Sequence, residues 1–341
     1  MNFAAFKAWR ERSLQENPKL LDCAETNLYH SLASLQPAPV SAPPDHRVHR
    51  CDLARLWLAR YGFPATASRR ALVCRGVRHA LALIFAKLAK KQATLWLPRD
   101  VYPVYGELAH AAGIQPKLFK TLPEPILPHH KPEGIAEYLL IANPWKPLGR
   151  YLTDKEYDEL ARWLAASPAR RLLMDCVYDL NRPFHDTTLK LQETGQAILL
   201  HSVTKGWLCP QTFGVVLTGE EQTEWESAFR ADAPSQDLLS LAEELLSHDA
   251  NLPELVATAL AARKKIFLVS VPASVRESML IDPVNSIPGG YFFPVNMKAD
   301  ELLLKHNLVG IPASVFGSDW EGSILTSLGA AFSHKTEGVK S

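Results

Sequence analysis

Apolar runs alternate with helix-like patterns through the middle of the chain. Short apolar segments bounded by Gly, Pro or polar residues are typical of buried strands, and apolar residues recurring every three or four positions are typical of amphipathic helices. The strands are predicted over 70–74, 93–97, 116–120, 137–142, 172–175, 197–201 and 213–218, and the helices over 79–91, 104–112 and 154–166. This order predicts an α/β fold in which helices cover both faces of a mostly parallel sheet of about seven strands.

The segments on either side of this region have a different pattern. Helices are predicted over 1–14, 52–61 and 220–268, a proline-rich connector over 36–44, and strands at 290–295 and 324–328. The C-terminal pattern is that of a smaller α+β domain. We therefore expect residues 1–45 to give a helix and arm to the small domain and residues 46–220 to form the large domain. Residues 221–341 are expected to supply the remaining large-domain helix and the rest of the small domain.

The composition is that of an ordinary protein that acts on small molecules. Hydrophobic residues make up 47% of the 341 residues, charged residues 21%, and the formal net charge is +1. So small a charge gives no general attraction to nucleic acid or to an anionic membrane. We expect neither a signal peptide nor a membrane span, because no apolar stretch is long enough.

The metal-ligating residue types are scattered. The five cysteines stand singly, which argues against a disulfide framework or zinc site and predicts a reducing, cytoplasmic location. His129 and His130 are adjacent, and adjacent side chains point apart on most backbones. We therefore predict no metal site.

Polar residues with distinct chemistry follow several of the predicted strands. Asp175 ends one apolar run with Tyr178 three residues later, and Ser202 and Lys205 follow the next run. Ligands of open α/β sheets bind at the carboxyl ends of strands, so these side chains are expected to lie together. The set suits pyridoxal 5'-phosphate (PLP). Lys205 would form a Schiff base with the aldehyde and then act as general acid and base, while Asp175 keeps the ring nitrogen protonated. Tyr178 would donate to the ring's phenolic oxygen and Ser202 to the phosphate.

Two further segments fit the same cofactor. Gly76 lies in a turn before a helix, so the amides of Val77 and Arg78 and the Arg78 side chain are expected to bind the phosphate. An ordinary strand-to-helix turn has the same pattern. Tyr102 follows the next strand and is expected to cover the ring, although a core or capping tyrosine fits equally well. The loop of residues 143–150 follows another apolar strand, and its two prolines make it rigid enough to present polar groups.

The order of these motifs resembles the fold-type-I PLP-dependent aminotransferases of class I and II, particularly the histidinol-phosphate aminotransferase branch. The resemblance covers about residues 20–330 and rests on residues 24–29, Cys74-Arg75-Gly76, Tyr102, Asn143-Pro144 through Gly149, Asp175-x-x-Tyr178 and Ser202-x-x-Lys205. It implies a large PLP-binding domain, a small domain built from both termini, and a homodimer with its two sites at the subunit interface. It also implies that Lys205 forms the internal aldimine and that Asp175 is the partner of the ring nitrogen.

The resemblance adds candidates on both sides of the site. Asn143 is counted among the cofactor-binding residues, and Tyr29 and Arg150 among those that bind the substrate. Members of the family often take a phosphate-binding Tyr from the neighbouring subunit. The matching stretch, 46–50, has no Tyr, and His49 is the expected substitute.

Two positions on the cofactor side depart from the family's pattern. Lys146 stands where the family has an Asn on the ring oxygen, and brings a charge to that place. Thr212 stands near the place of an Arg that binds the cofactor phosphate. Loss of a bidentate cation weakens phosphate binding, so Arg78 is the expected replacement.

A third departure concerns the substrate. Leu325 or Thr326 stands where family members have the Arg that binds the substrate's α-carboxylate. A buried carboxylate would be unpaired there, which is costly. We therefore expect the substrate to be held by another cation, with Lys146, Arg150 and Arg78 as the candidates, or to lack that carboxylate.

These observations predict a PLP-dependent enzyme acting on the amino group of a small molecule, most simply an atypical aminotransferase of specialised biosynthetic metabolism. Decarboxylation or elimination stays open, because the bond that breaks is the one held perpendicular to the ring and the sequence does not fix that angle.

A dimeric, non-catalytic scaffold is the alternative of a different class. The three altered positions favour a scaffold, and the retained Lys205, Asp175, Tyr178 and Ser202 oppose it.

Overall fold

The computed structural model describes residues 2–37, 47–129, 134–210, 212–219, 223–282, 287 and 290–333. Most of the predicted proline-rich connector, the boundary near residue 45 and His130 lie outside the described residues. Among the helices of the described residues, none is both long and apolar enough to cross a bilayer.

Strands occur in the same order as the sequence predicts. They are β1 (Leu21–Asp22), β2 (Ala71–Cys74), β3 (Thr94–Pro98), β4 (Lys117–Phe119), β5 (Glu137–Ala142), β6 (Arg170–Asp175), β7 (Ala197–Ser202), β8 (Gly214–Leu217), β9 (Phe292–Val295), β10 (Leu308–Val309), β11 (Ile311–Pro312) and β12 (Ser323–Thr326). Nine of these strands agree with the predicted boundaries to within a few residues, whereas β1, β10 and β11, of two residues each, are not predicted.

Helices cover the sheet and connect its strands. They are α1 (Phe3–Glu16), α2 (Leu28–Ser31), α3 (Arg50–Arg60), α4 (Val77–Lys90), α5 (Val104–Ala111), α6 (Asp154–Ala165), α7 (Asp186–Glu193), α8 (Val203–Gly206), α9 (Thr223–Ala231), α10 (Gln236–Ser247), α11 (Leu252–Ser270), α12 (Ala273–Glu277) and α13 (Ala299–His306). Short 3-10 helices cover Ala33–Leu35, Ala65–Arg70, Ala313–Phe316 and Ala330–Phe332.

The large sheet has seven strands in the order β2-β8-β7-β6-β5-β3-β4. β8 runs antiparallel to both of its neighbours, and the other pairings are parallel. Every residue of β5 and β7 is buried, as expected for strands covered on both faces. The predicted mostly parallel α/β sheet is therefore confirmed.

The register of the central strands places the site. Asp175 is paired with Ala142 of β5 and with Leu200 of β7, so β5, β6 and β7 end at the same edge of the sheet. Ser202, the last residue of β7, begins α8, which carries Lys205. The acid and the amine therefore come together at the carboxyl edge of neighbouring strands.

A smaller sheet is formed near the C-terminus by β11, β12 and β9, all antiparallel. It packs on its own core, which includes Phe267, Phe293, Leu302 and Leu325. β1, from the N-terminal segment, pairs in parallel with β10. Arg10 of α1 fixes that segment by ion pairs to Asp22 and Glu25.

Candidate active site

A cavity of ≈ 710 Å³ opens at the carboxyl edge of the large sheet, in the size range of ligand pockets. Its lining includes these predicted site residues: Tyr29, Gly76, Val77, Arg78, Tyr102, Lys146, Asp175, Tyr178, Ser202 and Lys205. These come from six separated stretches of sequence, and the fold brings them to one place.

One end of the cavity is built around the start of α4. Gly76 precedes the helix at φ 112°, a conformation that L side chains rarely adopt. The turn leaves the first N–H groups of α4 without intrahelical acceptors, and they point along the helix axis towards the cavity. The Ser202 hydroxyl, which donates to the Thr204 hydroxyl at 2.9 Å, lies beside this turn. Arg78 is exposed at the cavity wall, so its guanidinium adds a positive charge.

The same turn is braced by Asp232, which is not among the residues that line the cavity. Arg75 donates to Asp232 at 2.8 Å, and His79 pairs with the other oxygen of Asp232 at 3.0 Å. The hydrogen bond from His79 lowers the pKa of Asp232, and the charge of Arg75 adds to the effect. Two of the basic residues near the turn are therefore already engaged with an acid.

A buried carboxylate occupies the middle of the cavity. Asp175 is only 4% exposed, and its Oδ1 accepts a hydrogen bond from the Val177 N–H at 3.1 Å. Its Oδ2 accepts a short hydrogen bond from the Tyr105 hydroxyl and lies 3.4 Å from the ammonium of Lys146. Burial and the charge of Asp175 raise the pKa of Tyr105 well above its usual range, so its hydroxyl stays protonated and donates.

Two lysines and two tyrosines surround the space beside Asp175. The Lys205 ammonium lies 5.1 Å from the ring centre of Tyr29 and 5.3 Å from that of Tyr178. The Lys146 ammonium is 4.2 Å from the Tyr178 ring centre. Burial alone would raise the pKa of Tyr178, but the charges of Lys205 and Lys146 outweigh it and lower the pKa. The Tyr29 hydroxyl donates to the Thr204 carbonyl at 2.9 Å, which fixes Tyr29 beside the helix of Lys205.

The loop that carries Lys146 is held against the small domain. Gly149 has φ 79°, and a Cβ there would lie 2.3 Å from the carbonyl oxygen of Phe292. Only glycine permits this close approach of the loop to β9. The contact places Lys146 and Phe292 in the same cavity wall.

Aromatic residues form the outer part of the cavity. Phe3 of α1 meets the Tyr102 ring edge-on at 4.8 Å and lies 6.3 Å from the ring of Phe316. Tyr102 is 44% exposed, so it stands at the mouth rather than in the core. Together with Phe292 these rings make that side of the cavity aromatic and apolar.

The family follows from comparison with known proteins. The model of the family "Aminotransferase class I and II" matches residues 12–276. The chain belongs to this family. None of the curated proteins compared with the chain matches it.

Several solved structures have a similar fold and align with nearly the whole of this chain. Substrate-bound BacF from Bacillus subtilis has 16% identity over 96% of this chain and 91% of its own, with a TM-score of 0.67. A double mutant of Thermus thermophilus aspartate aminotransferase has 15% identity over 96% and 92%, with a TM-score of 0.66. A putative PLP-dependent β-cystathionase from Corynebacterium diphtheriae has 15% identity over 96% and 94%, with a TM-score of 0.62. At these identities the likeness concerns the fold.

The cofactor of this family is PLP, and the cavity of this aminotransferase fits it. Asp175 offers a buried acceptor for a ring N–H, Lys205 an amine for the aldehyde, and the α4 N-terminus with Ser202 and Arg78 an anion site for the phosphate. Among the described residues no group of three or more side chains is arranged to hold a metal ion.

Two predicted site residues are not brought to the cavity. Asn143 is fully buried, and its amide donates to Thr187 and Thr188 while its oxygen accepts from the Leu152 N–H at 3.1 Å. All its hydrogen-bonding groups are engaged inside the protein. Its assignment as a cofactor-binding residue is therefore corrected to a structural one.

Arg150 is also engaged elsewhere. Its guanidinium makes a bidentate pair with Glu156 at 2.6 and 2.8 Å, and Glu156 belongs to the capping box that begins α6. The pair lowers the pKa of Glu156 against the effect of burial. Arg150 therefore holds a helix in place and does not reach the substrate.

Three of the positions that are predicted to depart from the family's pattern, Leu325, Thr326 and Thr212, also lie away from the cavity, whereas Lys146 lines it. Leu325 is fully buried in the small-domain core, and Thr326 donates to the Glu25 carbonyl at 2.6 Å. Thr212 donates to the Pro210 carbonyl at 3.1 Å. None of the three contributes a charge to the described cavity wall.

Sequence reasoning missed residues whose role depends on packing. Tyr105 lies three residues after Tyr102 at the start of α5, after a sheet strand, and this position was the only signal for it. Phe3, Phe292 and Phe316 look like ordinary core residues in sequence, and it is the tertiary structure that takes them to the cavity mouth.

Proposed function

We propose that this protein is an aminotransferase of specialised biosynthetic metabolism in which PLP is attached to Lys205 and the substrate is a small-molecule amine. The observation that carries the proposal is the convergence of the Lys205 ammonium, the buried Asp175 carboxylate and the α4 N-terminus on one cavity. The order of the motifs supports a place in the histidinol-phosphate aminotransferase branch.

Each side chain has a role that its surroundings support. PLP, when bound, withdraws electrons from the carbon that carries the substrate's amino group. Asp175, held by Tyr105 and Val177, presents a carboxylate to the ring nitrogen. Lys205 would supply the amine for the cofactor's aldehyde and would accept the proton that leaves the substrate's α carbon.

An aromatic wall of the cavity supports a substrate with an apolar part. Phe3, Tyr102, Phe292 and Phe316 supply that wall. Tyr29, which is fixed by Thr204 next to Lys205, is placed to contact the substrate rather than the phosphate.

We infer further that the protein acts as a homodimer in the cytoplasm. The family resemblance supports the dimer, with His49 as the residue given to the partner's phosphate site, and the exposure of His49 is compatible with that role. Light scattering on the purified protein tests the dimer. Weaker PLP binding in His49→Ala would support the shared site, and unchanged binding would contradict it.

Absorbance of the purified protein tests the function. Wild type should show the visible band of lysine-bound PLP, and Lys205→Ala should lose it, whereas the control Lys305→Ala at an exposed position should keep it. A chain without the band, even after PLP is added, would be a scaffold and not an enzyme.

A screen of amino acids and amines then identifies the reaction. Conversion of PLP to its amine form, followed by chromatography, supports transamination. Release of carbon dioxide or ammonia without that conversion would point to decarboxylation or elimination on the same residues.

A further inference from the structure

Lys146 is paired with Asp175, the carboxylate that is proposed to pair with the protonated ring nitrogen of PLP. Its ammonium is 3.4 Å from Asp175 Oδ2, which also accepts a hydrogen bond from the Tyr105 hydroxyl, and the Lys146 side chain is 20% exposed. The other oxygen of Asp175 is taken by the Val177 N–H. Lys146 is therefore the resident counter-ion of Asp175.

The charges of the cavity wall leave Lys146 no second acid. Asp175 is the only carboxylate among the described lining residues. Arg75 and His79 are paired with Asp232, and Lys205 is needed for the cofactor aldehyde. A protonated ring nitrogen that pairs with Asp175 would meet the Lys146 ammonium at the same oxygen, and two cations there repel each other.

We propose that Lys146 exchanges partners: cofactor binding displaces its ammonium from Asp175, and the released ammonium then binds a carboxylate of the substrate. This inference rests on the proposed function and names its substrate class, an amine that carries a nearby carboxylate and an apolar group.

The other cationic side chains near the cavity are not available to bind the substrate's carboxylate. Arg150 is held by Glu156, and β12 has only buried, uncharged side chains. Arg78 lies at the α4 turn, where the phosphate site is proposed. Lys146 shares its wall with Phe292, so an anion bound there would have the apolar group of the same substrate against the aromatic mouth.

The exchange makes two opposite predictions for Lys146→Met. PLP should bind the cofactor-free variant more tightly, by roughly threefold to tenfold, because no ammonium competes for Asp175. The carboxylate site should be lost: wild type loaded with PLP should bind 3-phenylpropionate about tenfold or more tightly than its amide, 3-phenylpropanamide, and Lys146→Met should bind the two alike.

Both arms are binding titrations followed by protein fluorescence and do not require turnover. Lys146→Arg should keep the preference for the carboxylate, and the exposed control Lys305→Met should behave as wild type in both arms. PLP binding to Lys146→Met that is equal to or weaker than in wild type overturns the exchange, and so does an unchanged preference for 3-phenylpropionate. Failure of wild type to bind PLP at all would instead overturn the proposed function together with this inference.

Discussion

The hydrogen bond from Tyr105 to Asp175 can be measured against a matched bond elsewhere in the same protein. Tyr105 is 5% exposed, and its hydroxyl donates to Asp175 Oδ2, the oxygen that also lies near the Lys146 ammonium. Tyr151 donates in the same way to Asp179 at 2.8 Å, and Asp179 is fully buried. Tyr105→Phe and Tyr151→Phe each remove one hydroxyl from a buried carboxylate, but only the first carboxylate lines the cavity.

The magnitude follows from the donors that remain. Asp175 keeps the Val177 N–H and the Lys146 ammonium, and Asp179 keeps the N–H groups of Asn181 and His185. Each variant thus loses one charge-assisted hydrogen bond, which should lower the free energy of unfolding by about 1.5–3 kcal/mol. Tyr151→Phe also loses the hydrogen bond that the Asn181 amide donates to the Tyr151 hydroxyl.

Urea unfolding of the cofactor-free protein measures the loss of stability. Titration with PLP shows which of the two carboxylates contributes to cofactor binding. We expect both variants to be destabilised, Tyr151→Phe at least as much as Tyr105→Phe, and only Tyr105→Phe to bind PLP more weakly, because Asp175 is then less firmly held. The reasoning would be refuted by a Tyr105→Phe protein within about 0.5 kcal/mol of wild type, or by equal PLP binding in the two variants.

Three more outcomes test other parts of the structure. Arg78→Met should weaken binding of PLP about tenfold and leave binding of pyridoxal, which has no phosphate, unchanged; equal losses for both compounds would place Arg78 elsewhere. Gly76→Ala should lower the free energy of unfolding by about 1–2 kcal/mol, because an alanine is strained at the φ of 112° found there. Equal free energies of unfolding in urea for the variant and the wild type would contradict this strain. Burial lowers the pKa of His201 to about 3, below its unfolded value of 6.5, so the neutral ring stabilises the fold above pH 6.5 and this stability is lost as the pH falls below 6.5. The free energy of unfolding of the wild type should therefore fall relative to that of His201→Gln by on the order of a few kcal/mol between pH 7 and 4. If the two free energies instead change with pH in parallel, His201 is not held in its neutral form by burial.

The strands and their order could be predicted because their burial is simple. β5, β6 and β7 are nearly continuous apolar runs, and their ends carry the polar residues of the site. The prediction lacked α7, because that helix buries Thr187, Thr188 and Gln192 together with a single leucine, and a buried face made of polar residues gives no apolar periodicity. The reversed direction of β8 is also invisible in sequence, because a strand buried on both faces looks the same in either direction.

The site could be predicted where function depends on a strand end, and not where it depends on distant partners. Asp175 and Lys205 follow directly from the strand ends. Asn143 and Arg150 belong to a loop that does enter the cavity, and only Thr187, Thr188 and Glu156, from two helices, decide that these two side chains turn away from it. Such choices depend on tertiary contacts that no local pattern records.

Phe3 touches the cavity from a helix that is peripheral to the large sheet. The lysine, the carboxylate and the phosphate turn all come from the sheet, while the ring that narrows the entrance comes from α1. Substitutions at this position can therefore change which molecules enter while the residues around the cofactor stay as they are. In evolutionary terms the range of substrates can drift independently of the chemistry, and a small library at position 3 is the economical place to redirect this enzyme.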